Sequence, residues 1–146
     1  MVADSFGLGC WAYGLAEQGS QDERVAREVI RAAYGRGVRH FDTAQGYGEG
    51  RSEEIVGSAL VGLEDAEIAT KVNLLTREET EEAVRTSRER LGVQSVGLFY
   101  IHWPRKDMDP RPMLEALETE RARGTIGRIG VSNFPVAELE RASEVA

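Results

Sequence analysis

The chain has 146 residues, enough for one domain spanning 1–146 and too few for a closed eight-unit β/α barrel, which takes about 250. Its 18 Lys+Arg against 25 Asp+Glu leave a net charge of −7, which counts against nucleic acid or a membrane surface as partner, because phosphate recognition wants a basic stripe. One cysteine, Cys10, excludes an internal disulfide; with no apolar run of about 18 residues and no basic-then-apolar leader, the expected compartment is the cytoplasm.

In chain order, short β-rich runs alternate with longer amphipathic ones. Strands are predicted at Phe6–Cys10, Val38–Asp42, Glu67–Val72, Val96–His102 and Arg128–Val131. Each is followed by a predicted helix: Asp22–Tyr34, Glu53–Leu60, Arg77–Leu91, Pro112–Arg123 and Val136–Val145. A strand–helix alternation of this kind implies a parallel sheet with helices packed outside it. Ser20 with Glu23, and Thr76 with Glu79, have capping-box spacing. Pro112 suits a helix start, and Gly35, Gly37, Gly92 and Gly124 fall where helices should stop. Val25, Ala26, Val29, Ile30 and Ala33 form one apolar stripe on the first helix.

The chemistry gathers where strands give way to loops, the edge at which parallel α/β folds bind ligands. The second strand ends in Asp42 and leads to Gly46-Tyr47-Gly48; the third ends in Thr70-Lys71-Val72. The fourth ends in His102-Trp103-Pro104 and the fifth in Ser132-Asn133. Each has an ordinary reading too. Asp42 starts a turn, Lys71 snorkels to solvent, His102 is a hydrogen-bonded core histidine, and Ser132-Asn133 cap a helix. Taken together they suit one task. A buried lysine needs a counter-charge, which Asp42 supplies. An ammonium beside a phenol favours the phenolate, as a tyrosine that donates and retakes a proton requires. This is a constellation for protonating an alkoxide as it forms, and the matching hydride must come from a cofactor. No zinc-ligand spacing, Walker A pattern or dinucleotide glycine fingerprint is present, and Cys10 suits packing better than nucleophilic chemistry.

Residues 38–48, VRHFDTAQGYG, resemble the aldo-keto reductase signature around its aspartate and tyrosine. IATKV (68–72) resembles the family's lysine strand, VGLFYIHWP (96–104) its histidine strand, and GTIGRIGVSNF (124–134) its fifth-strand motif. GLGCWAYG (7–14) is similar to its first, cofactor-side loop. The resemblance implies a parallel (β/α)8 TIM barrel of which the first five βα units are present, an incomplete barrel truncated after the fifth unit. It implies NADPH-dependent reduction of aldehydes and ketones, with NADH not excluded. Tyr47 is then the general acid, Lys71 and Asp42 tune it, and His102 orients the carbonyl. Ser132 and Asn133 hold the nicotinamide carboxamide, and Asp42 touches the ribose. Trp11 and Ala12 meet cofactor or substrate, and Trp11, Tyr47 and Trp103 border the substrate pocket. The family's pyrophosphate and 2′-phosphate contacts come from later strands. Two alternatives are therefore a non-catalytic nucleotide-sensing subunit and an inactive chain completed by self-association or a partner.

Overall fold

A computed structural model describes residues 6–14 and 23–145. Five parallel strands lie in chain order: β1 Gly7–Gly9, β2 His40–Asp42, β3 Glu67–Val72, β4 Val96–Ile101 and β5 Ile126–Val131. A 3-10 turn, Trp11–Gly14, follows β1. The helices are α1 Glu23–Gly35, α2 Arg51–Leu60, α3 Arg77–Leu91, α4 Arg111–Ala122 and α5 Val136–Ala142. Each helix through α5 packs on its predecessor. One face of the sheet is theirs: Phe41, Ile68, Val72, Phe99 and Ile101 are buried there. Strand alternation sends the intervening residues, among them Asp42, Lys71 and Tyr100, to the opposite face. β1 and β5 each have one strand neighbour, so the sheet is a partial barrel open at both edges.

The strand ends are staggered, and each next residue finds a partner. Cys10 N–H donates to Asp42 O, Thr43 to Ala69 O, His102 to Val72 O and Ser132 to Ile101 O. These bonds hold all five strand-to-loop transitions in one register.

The expected punctuation is largely present. Thr76 and Glu79 close a reciprocal capping box on α3, and Gly92 ends it in the left-handed region at φ 65°. The Ser20–Glu23 box lies outside the described residues. Only β3 and α3 keep the predicted bounds; α1, β4 and α4 shift by a single residue at one or both ends, α5 ends at Ala142 rather than Val145, and four other elements differ as follows. β1 and β2 are shorter because pairing runs only over Gly7–Gly9 and His40–Asp42. α2 starts at Arg51, after the left-handed Gly50, and β5 begins at Ile126, which pairs with Val96. The stripe on α1 is narrower than its pattern suggests: Ala26 and Ile30 are buried, whereas Val25 and Val29 are 39% and 43% exposed.

Close helix contact is bought at Gly57, where an added Cβ would overlap the Leu91 carbonyl at the end of α3. Gly57→Ala is expected to destabilise the fold by about 1–2 kcal/mol in urea unfolding. Overpacking costs about 1–3 kcal/mol, and the better helix propensity of alanine returns up to about 1.

Candidate active site

Tyr47 stands on the loop from β2 to α2. Three successive left-handed residues follow it, Gly48 at φ 63°, Glu49 at 57° and Gly50 at 98°. Such a run does not hold itself. The loop is held from outside. A Cβ on Gly48 would overlap the Gly14 carbonyl, so the 3-10 turn and the Tyr47 loop meet backbone to backbone. The Gln45 N–H donates to Lys71 O at 2.9 Å, and its amide donates to Ala83 O and Ser87 Oγ at 2.7 and 2.8 Å.

Lys71 is the buried cation of the site, 8% exposed. Its Nζ donates to Asp42 Oδ2 at 2.6 Å and to the Thr43 carbonyl at 2.7 Å. The same ammonium lies 5.1 Å from the centre of the Tyr47 ring. His102 meets that ring edge-on, centroid to centroid 5.7 Å, and Trp103 follows at 6.0 Å. Three strands and one loop thus bring an acid, an amine, a phenol and an imidazole together, as their sequence positions implied.

Burial, and then the Lys71 charge, lower the His102 pKa, with Asp42 opposing. His102 is therefore neutral at pH 7, with one ring N–H to donate. In an NMR titration its midpoint is expected below the ordinary imidazole value of about 6.5, and Lys71→Met should move it upward. The sign for stability follows from linkage: the unfolded chain takes up this proton first. The contribution is whole above about pH 6.5 and drains away as the pH falls toward the folded midpoint.

These groups face a cleft of about 620 Å3. Tyr47, Lys71, His102, Trp11 and Trp103 line it, the two tryptophans 55% and 53% exposed. Asp42 sits behind Lys71 rather than on the lining. Ala12 is exposed beside Trp11 and off the lining. Cys10 is fully buried, and burial pushes its thiol up to about 12, as a packing residue requires.

Ser132 and Asn133 do not cap α5, whose N-terminal flank is Pro135. Asn133 adopts φ 60°, and its Nδ2 donates to His102 O at 2.8 Å and Ser132 Oγ at 2.9 Å. Among the described residues this leaves the Asn133 side-chain oxygen as an acceptor and the Ser132 hydroxyl as a donor. An acceptor and a donor side by side complement a primary carboxamide, so this end of the site fits a nicotinamide.

Sequence reasoning missed several lining residues, Gln45, Glu49, Asn73 and Arg90 among them. Glu53 stands out in the sequence only as the first residue of the predicted second helix, although its side chain has no exposed surface. The signal was available, since Glu53 is in phase with Val56, Gly57 and Leu60 on the buried face of α2.

The aldo/keto reductase family pattern matches residues 5–146. The chain belongs to this family. An aldo-keto reductase of Bacillus subtilis is 36% identical over 157 residues, covering 99% of this chain and 47% of that protein. An NADH-specific methylglyoxal reductase of Escherichia coli is 30% identical, covering 87% of this chain and 47% of its own length. The crystal structure of an aldo-keto reductase from Klebsiella pneumoniae in complex with NADPH superposes with a TM-score of 0.80 at 30% identity, covering 96% of this chain and 49% of that one. This aldo/keto reductase chain therefore spans about half the length of the relatives it matches.

Proposed function

We propose that the chain carries the proton-transfer site and the nicotinamide end of an NAD(P)H-dependent reductase of aldehydes and ketones. The observation that carries this reading is Lys71 Nζ, bonded to Asp42 at 2.6 Å and set 5.1 Å from the Tyr47 ring, with His102 edge-on to that ring. The relatives' cofactors support it: NADPH is bound in the Klebsiella structure and NADH serves the Escherichia coli enzyme. NADPH is the cofactor proposed. NADH would meet the same residues here, because the two differ only at a ribose phosphate remote from the nicotinamide.

A bound nicotinamide supplies a hydride to the carbonyl carbon. This chain's residues do the rest. Trp11 and Trp103 wall the cleft and border the carbonyl substrate. His102, neutral, donates its ring N–H to the carbonyl oxygen and sets its direction. Tyr47 gives that oxygen its proton as the C–H bond forms, so the product is an alcohol and the phenolate is reprotonated from solvent. The Lys71 ammonium faces the phenolate in the interim, and Asp42 keeps Lys71 in place. Ser132 and Asn133 would hold the carboxamide, Asp42 would touch the ribose, and Trp11 and Ala12 would meet cofactor or substrate.

The test is aldehyde-dependent oxidation of NADPH. It is made on the chain alone and on a chimera that joins it to the remaining strands of the Bacillus subtilis relative, which supplies the length the relatives have. Turnover in the chimera supports the reading; tight NADPH binding without turnover would replace it with a nucleotide sensor.

A further inference from the structure

We propose that Glu53 is a positioning residue that fixes the distance between Tyr47 and Lys71. Glu53 is on α2, six residues beyond Tyr47, and its side chain is wholly buried. Its Oε1 accepts from Thr70 Oγ1 at 2.6 Å and from Ser87 Oγ at 2.7 Å; its Oε2 takes a longer contact, 3.5 Å, from the Arg90 guanidinium. Each partner leads back to the reacting groups. Thr70 is the residue before Lys71 on β3, its side chain on the helix face where that of Lys71 is on the cleft face. Ser87 also accepts from Gln45, whose backbone N–H is bonded to the Lys71 carbonyl. Arg90 lies against Gly50, where any Cβ would overlap its guanidinium, at the end of the left-handed run that follows Tyr47.

One carboxylate therefore ties the lysine strand, the tyrosine loop and α3 to a single point. A buried carboxylate is a poor way to gain stability, since an apolar side chain of similar volume would do as well or better. What the side-chain oxygens provide is a fixed geometry: two hydroxyls and a guanidinium converge on them, and a loop that cannot hold its own shape is pinned at both ends. The role rests on the reading of Tyr47 as proton donor for its consequence in turnover, but the geometry can be tested without it.

The experiment is two-dimensional NMR on the chain itself, reading the cross-peak between the Tyr47 ring protons and the Lys71 methylene next to Nζ, an atom 5.1 Å from the ring centre. The wild-type chain should show it. Glu53→Leu should lose it, and Glu53→Gln, which keeps the Oε1 acceptor, should retain it. Leu117→Ala, a core truncation in α4, serves as the control of reduced stability and should keep the cross-peak. An unchanged cross-peak in Glu53→Leu, or its loss in Leu117→Ala as well, would overturn the proposal. Should Glu53→Leu not fold, Ser87→Ala decides: a weakened cross-peak supports the role, and an unchanged one overturns it. No cofactor enters this measurement. A chimera that fails to turn over, beside the expected pattern of cross-peaks, would sink the reductase reading and leave the positioning role standing.

Discussion

Tyr47→Phe is expected to cut carbonyl reduction by the chimera about 10²- to 10⁴-fold, the usual worth of a positioned general acid, while leaving its melting temperature and NADPH affinity unchanged. The substitution is clean for a structural reason. Lys71 and His102 contact the Tyr47 ring, which phenylalanine keeps, at 5.1 and 5.7 Å. The hydroxyl that it removes makes no hydrogen bond to any described residue, so no partner is orphaned. By microscopic reversibility, alcohol oxidation should fall by the same factor as aldehyde reduction. Steady-state rates in both directions check this. A change of only a few-fold would assign the proton to another group.

Lys71→Met should be the most damaging single change to stability in the site. It leaves the Asp42 carboxylate and the Thr43 carbonyl without their shared donor. Breaking a fully buried pair costs about 3–5 kcal/mol. Asp42 keeps 32% of its side chain exposed and is partly screened by solvent, so about 2–3 kcal/mol is expected in urea unfolding. Removing the charge on both sides discriminates this cause from lost packing. Asp42→Asn with Lys71→Met should recover much of the loss, because an uncompensated carboxylate is the main penalty. A double variant no more stable than Lys71→Met alone would show that the lysine stem, not its charge, mattered. Neither variant should reduce aldehydes.

The alternation of strands and helices was legible because each element carries its own period and stop: the Thr76–Glu79 box and Gly92 bracket α3 where the pattern places it. The site was legible for a related reason. Asp42, Lys71, His102 and Ser132 all close strands in one parallel sheet, so position along the chain already implied one edge. What the sequence concealed depends on contacts between elements. Val25 and Val29 follow the helical period of α1 and yet face solvent, because periodicity says which face is apolar and not what covers it. Glu53 reads as the first residue of a helix, and only the packing of α2 against β3 and α3 reveals it as buried. The turn at Ser132-Asn133 had an even choice between cap and ligand. The cap reading fails at Asn133, whose left-handed backbone turns its amide to His102 instead of to α5.

The most direct test of the central claim is isotopic. The chimera is given a simple aldehyde and NADPH carrying deuterium at the transferable position of the nicotinamide, and the alcohol is analysed by mass spectrometry. The account predicts one deuterium on the carbinol carbon, formed with the wild-type tetrad and suppressed in Tyr47→Phe. Alcohol without deuterium, or labelled alcohol formed equally fast by Tyr47→Phe, would contradict it.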